Sequence, residues 1–217
     1  MSIRLHLLNA SGKLSPWERR LADAFAQSTE TLAALLPVQN VDVVVQAGKR
    51  VIPETGIGGF SPSGEVVYIT IDPDHPNFPS VLETEFLATV GHELHHCARH
   101  TGPGYGHTLG EALVTEGLAT NFEAELRGGK APFYACAVQG ADLESLAQRA
   151  RPELRSSKYD HRAWFFGAAA KGFPRFSGYS LGFNIVAAYI LRHATSAACL
   201  WGVPAENVLV EAFAGDA

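Results

Sequence analysis

The sequence predicts an α+β protein, with a small mixed β-sheet and its helices in the first half and a mainly helical second half. Three observations carry that expectation. The β-branched runs Val41 to Val45 and Val66 to Ile71 read as strands, and both fall in the first third of the chain. Apolar residues recur at helical spacing after Ser15, after Ser80 and after Thr108, each time behind a residue pattern that starts helices. With 217 residues, 47% of them apolar and 18% charged, the chain is long enough to bury a sizeable core as one domain of two lobes.

In chain order, Ile3 to Leu8 is apolar but short and broken by Arg4 and His6, which does not suit a secretory signal. Ser15-Pro16-Trp17-Glu18 combines a capping residue, proline at the first helical position and the glutamate of a capping box. The helix it opens carries Trp17, Leu21, Phe25, Leu32 and Leu36 and stops at Pro37. The strand at Val41 to Val45 leads through a turn to a short second strand at Val51 and Ile52. Gly56 to Gly64 then reads as a glycine-rich turn beside an open sheet edge. A phosphate loop is not indicated there, because no Lys-Ser/Thr pair follows.

After the strand Val66 to Ile71, a second capping box, Ser80 to Glu83, predicts a helix running to about His100. A third, Thr108 to Glu111, starts a helix that ends at Gly128-Gly129. Weaker helical signals lie within 132–150 and 159–171. A longer apolar helix is expected over Tyr179 to Cys199, and a last one after Pro204. The lobes divide at 104/105, with the sheet and second helix in 1–104 and helices in 105–217.

The composition excludes several classes of function. A formal charge of −5 with no basic run argues against nucleic acid or an anionic membrane as partner. No stretch is apolar for the roughly 20 residues a membrane span needs. Cys97, Cys136 and Cys199 form no C-x-x-C pair, so neither a disulfide framework nor a thiolate zinc site is indicated. A cytoplasmic setting is the expectation.

The chemistry is concentrated in His92-Glu93-Leu94-His95-His96, an H-E-x-x-H pattern inside the predicted helix. Residues four apart share a helical face, so His92 and His96 are placed to hold one metal ion. Glu93 is placed as general base toward a metal-activated water. Metzincin proteases require a histidine six residues after the second motif histidine, and Gly102 stands there. Another large class takes a glutamate from the following helix, where Glu111 and Glu116 compete. Five helical residues separate their directions by about 140°, so both cannot face one ion. Glu111 is accounted for by its capping box. Glu116 lies on the Leu109, Ala112, Leu113 and Thr120 stripe, where a carboxylate is costly without a compensating cation. That makes Glu116 the third ligand. His95 points about 100° from His96 and is a helix-interface or supporting residue. His100, near the helix end, is read as meeting the helix dipole, and Cys97 as a buried thiol. The expected cofactor is Zn²⁺, which with two neutral histidines and one carboxylate leaves a net charge of +1 beside a developing oxyanion.

The motif followed twenty residues later by Glu116-Gly117-Leu118-Ala119 resembles the gluzincin metallopeptidases. H-E-x-H-H-x-x-R at His92 to Arg99, together with Gly178-Tyr179-Ser180-Leu181-Gly182-Phe183, is similar to an uncharacterised family of predicted Zn-dependent proteases. The resemblance spans about residues 55–195. It implies a zincin-like fold for 1–217 and a zinc metallopeptidase acting on peptides or proteins. It also implies that an edge strand, Val66 to Ile71 or the Gly58 to Ser61 segment, holds substrate by β-augmentation. Several gluzincins stabilise the oxyanion with a second-lobe tyrosine. Tyr179 is the candidate, an interface role at a helix start is its alternative, and Tyr105 and His107 are weaker ones. Thermolysin-like enzymes brace a zinc histidine with an aspartate where this chain has Thr120. The competing reading of the whole is a zinc-containing peptide- or protein-binding module without turnover.

Overall fold

A computed structural model describes residues 3–214, apart from the side chain of Glu83. The chain forms two compact units, Met1–Thr101 and Gly102–Ala217. The first holds strands β1 (Ile3–Leu8), β2 (Val41–Ala47), β3 (Ile57–Ser63) and β4 (Val66–Ile71) and helices α1 (Glu18–Leu35), α2 (Phe78–Thr84) and α3 (Phe86–His100). The strands form one mixed sheet in the order β1-β2-β4-β3. β1, β2 and β4 run parallel, and β3 runs antiparallel to β4.

One sheet face is apolar because the β-branched residues alternate onto it. Val43, Val45, Val67, Ile69 and Ile71 are all sealed from solvent, in register across β2 and β4. α1 buries Leu21 and Leu32 and packs on α3 and β1, and α3 packs against β3 and β4.

Several sequence expectations change here. Ile3–Leu8 is a strand, and the alternation that broke it as a signal segment is a period-2 pattern. Val51-Ile52 is not a strand; Ile52 makes only an isolated bridge to Ile57. The glycine-rich stretch is mostly strand β3, which its glycines disguise. Ser15 and Glu18 form no capping box. Both are tied instead to the Asn9 amide, at 3.0 and 2.7 Å, and residues 15–17 form a 3-10 turn before α1. Residues 78–100 are not one helix: α2 starts at Phe78 after Asn77 and the chain breaks at Glu85. Ser80 therefore lies inside α2 and its hydroxyl donates back to the Asn77 carbonyl. The other half of that expected box, the Glu83 side chain, lies outside the described residues.

The second unit contains α4 (Leu109–Leu126), α5 (Gly140–Ala150), α6 (His161–Phe166), α7 (Ser177–His193) and α8 (Ala205–Ala212). The Thr108 capping box forms as expected, with both halves present. α7 starts two residues earlier than predicted and stops at Ala194, which takes the left-handed conformation, not at Cys199. α4 is the hub. It is buried on every side from Ala112 to Ala124, with Trp164, Phe165, Leu181, Val186 and Val208 in the surrounding core. No helix among the described residues is long and apolar enough to cross a membrane.

Candidate metal centre

α3 carries the motif. From Val90 to Arg99 each of its residues is buried, which is unusual for a segment holding three histidines and a glutamate. The four-residue spacing brings His92 Nε2 and His96 Nε2 to 3.1 Å, with the rings near perpendicular at 83°. Two ligands of a tetrahedral zinc with bonds of 2.0–2.1 Å lie about 3.3 Å apart, so this pair already has the spacing of a chelate.

Glu93 is buried and lies directly against β3. A Cβ on Gly59 would stand 2.4 Å from Glu93 Oε1 and 2.5 Å from its Cγ. Only glycine allows the carboxylate this close to the strand. β4 is hydrogen-bonded on both sides, so of the two segments expected to hold substrate, β3 is the one at the sheet edge. Further along α3, Cys97 Sγ lies 3.1 Å from Ser61 Oγ, and burial pushes this thiol up to about 11. His95 is wholly buried. Burial lowers the His100 pKa while a hydrogen bond with the Ser61 backbone raises it, so burial works against the partly charged ring of the helix-dipole reading.

The third residue is built on α4. Glu111 Oε2 accepts from His107 N, Thr108 N and Thr108 Oγ1 at 2.8–2.9 Å, and the His107 amide leads the causes that depress its pKa. Glu111 is thereby committed to the helix start, and the His107 side chain is exposed. Glu116 is buried and accepts a hydrogen bond from the Tyr105 hydroxyl at 2.8 Å. Burial, reinforced by the Glu116 charge, holds the Tyr105 phenol far above its ordinary range, so it is a neutral donor. Thr115 Oγ1 anchors the Tyr105 carbonyl at 3.0 Å. The stripe argument for Glu116 needs correcting, because α4 has no single inward face. What separates the two glutamates is that Glu111 is already engaged. Thr120 donates to the Glu116 and Gly117 carbonyls of its own helix.

Gly117 and Gly182 explain the strings around them. A Cβ on Gly117 would meet the Gly182 carbonyl oxygen at 2.3 Å, and one on Gly182 the Leu113 oxygen at 2.2 Å. Their absence lets α4 and α7 touch backbone to backbone. Tyr179, on the first turn of α7, packs edge-on against Tyr134 and Phe165 with both centroids at 5.1 Å. Sequence reasoning missed His161, half-buried on Phe165, with Nδ1 3.0 Å from the Tyr159 hydroxyl. Burial lowers the His161 pKa while the Glu116 charge pulls the other way. No spacing ties His161 to the motif, so only the fold reveals it.

His92, His96 and Glu116 are all buried, and one ligand atom from each lies within 4.8 Å of the others. Two imidazoles and one carboxylate are a donor set that suits Zn²⁺ and leaves a fourth position for water or substrate. Neither the curated proteins nor the solved structures provide a match to this chain. One family model does match, over residues 21–210, and its description is "Predicted Zn-dependent protease". That match covers most of the sequence, both halves of the ligand set included, and the chain belongs to the DUF2268 family.

Proposed function

We propose that the chain is a zinc-dependent peptidase of the gluzincin type, built on a zincin-like fold and acting on peptide or protein substrates. The observation that carries the reading is the convergence of His92, His96 and Glu116, buried and with ligand atoms within 4.8 Å. Zn²⁺ held by these residues supplies a Lewis acid for the scissile carbonyl and a water whose pKa falls to about 7. The remaining work falls to the chain. Glu93, held against Gly59, takes the proton of the attacking water and returns it to the leaving amine. The free edge of β3 receives the substrate backbone as an added strand.

For the oxyanion, Tyr179 is the proposed donor. It stands on the first turn of α7 in an aromatic cluster with Tyr134 and Phe165. Tyr105 is set aside for that role because its hydroxyl is given to Glu116. His107 is set aside because it is exposed. Three free cysteines fit a reducing, cytoplasmic setting, and the net charge of −5 fits a peptide substrate better than nucleic acid.

The test compares wild type, Glu93→Gln and His96→Ala for zinc content and peptide hydrolysis. Near-stoichiometric zinc is expected in the first two and loss in the third, with hydrolysis only in wild type and abolished by chelators. Zinc retained in His96→Ala overturns the metal site. Peptide binding without cleavage by zinc-loaded wild type favours the binding-module reading.

A further inference from the structure

The β3 edge has a readable hydrogen-bond parity. Asp72 N donates to the Gly56 carbonyl at 2.8 Å, and Ile57 pairs with Ile71 in the next register. Alternation in an antiparallel pair then turns the N–H and C=O of Gly58 and Phe60 toward β4, and those of Ile57 and Gly59 outward. The outward carbonyl of Ile57 is indeed taken by Ile52 N at 3.0 Å. The next outward pair belongs to Gly59. Beyond Gly59 the register with β4 shifts between Phe60 and Ser63, which ends the regular alternation of the edge just before Pro62 and Ser63. Among the described residues, no strand pairs with this edge of β3. The window between Ile52 and Pro62 is short. It admits one extended peptide and discourages edge-to-edge pairing with another sheet.

Side chains on this window alternate too. Gly59 faces Glu93, so Phe60 lies on the opposite sheet face, directly across from Tyr68. They extend a row that runs His6, Val44, Tyr68, Phe60 across all four strands. Phe60 is 63% and Tyr68 39% exposed, on the solvent-facing side of the sheet where His6 is exposed and Val44 half-buried. A strand bound through Gly59 and antiparallel to β3 places its neighbouring residue opposite Phe60. That position is a non-hydrogen-bonded pair, in which cross-strand side chains approach most closely.

We propose that Phe60, backed by Tyr68, is a specificity-determining residue that selects a bulky apolar side chain, aromatic or β-branched, one position from the substrate residue bonded to Gly59. This rests on the peptidase reading for the identity of the occupant. Aromatic–aromatic and aromatic–β-branched cross-strand pairs outweigh small residues by up to about fivefold in equilibrium terms, which sets the size of the preference.

The test uses blocked hexapeptides randomised one position at a time. Zinc-loaded Glu93→Gln and the double variant Glu93→Gln/Phe60→Ser are assayed for binding, and wild type and Phe60→Ser for cleavage. The expected result is a preference of about three- to fivefold for Phe, Tyr or Ile over Ser at one peptide position. Phe60→Ser erases it while other positions and zinc content stay as they were. A preference that survives Phe60→Ser, or no bulky apolar preference at any position, overturns the proposal while leaving proteolysis standing. Phe60-dependent binding without cleavage by wild type keeps the specificity and overturns the peptidase reading. Neither binding nor cleavage overturns both.

Discussion

The Tyr105 hydroxyl donates to Glu116 Oε1 at 2.8 Å, and this bond gives a buried carboxylate a fixed orientation. A neutral phenol satisfies one carboxylate oxygen without neutralising the charge, which leaves the group acceptable to a cation. Tyr105→Phe is expected to weaken zinc binding about 10- to 100-fold, the usual cost of removing a hydrogen bond to a metal-ligating group. Competition against a chromophoric chelator reads the change. An unchanged affinity would show that Glu116 is positioned by other contacts.

Gly59 makes a separate prediction, because it touches Glu93 and none of the proposed ligands belongs to its strand. A methyl group there stands 2.4 Å from Glu93 Oε1 and 2.5 Å from Cγ, so the carboxylate must move by more than the swing of its tip. Displacing a catalytic group by about 1 Å costs on the order of 100-fold in rate. Gly59→Ala is therefore expected to lower kcat/KM by about that factor while zinc remains stoichiometric. Loss of zinc together with activity would mean that the strand supports the histidines rather than the base.

How much of this the sequence revealed depends on whether the signal was local. The motif spacing and the Thr108–Glu111 capping box follow from short-range geometry; the box forms, and His92, His96 and Glu116 bring ligand atoms within 4.8 Å of one another. β3 was hidden because Gly58, Gly59 and Pro62 are poor strand formers, and the strand exists through its pairing with β4 and its packing on α3. The Ser15 box is lost because the Asn9 amide, from before the helix, takes both Ser15 and Glu18. The Tyr105–Glu116 bond and the placement of His161 join residues with no periodic relation, so only the folded chain shows them. The apolar stripe on α4 was misleading because a helix buried all round has no preferred face.

The Gly117–Gly182 contact predicts a stability effect distinct from any effect on chemistry. Both Cβ positions fall within 2.3 Å of backbone oxygens, which cannot rotate aside as a side chain would. Gly117→Ala or Gly182→Ala forces α4 and α7 apart, and overpacking of this kind costs about 1–3 kcal/mol. A fall in Tm on the order of 5 °C is expected, read by thermal unfolding. Gly202→Ala is the control: it meets nothing within 4 Å and its change is expected to stay within about 0.5 kcal/mol. Equal Tm values for Gly117→Ala and the control would show that the helices can separate freely.

Cys97 tests whether the α3–β3 packing that holds Glu93 is tight in solution. Its Sγ lies between Ser61 Oγ at 3.1 Å and the Ser63 carbonyl at 3.5 Å, and burial raises the thiol from 9.0 to about 11. The reactive species is the thiolate, so at pH 8 Cys97 is both shielded and protonated, whereas Cys136 and Cys199 are exposed. Iodoacetamide is expected to modify those two in the native protein and Cys97 only after denaturation, as peptide mapping would show. The sign of the linkage follows from the raised value. Between about pH 9 and 11 the unfolded chain has lost this proton and the folded chain has kept it, so the contribution to stability falls as pH rises. Native labelling of Cys97 at the rate of Cys136 would mean that α3 and β3 open locally, and Glu93 with them.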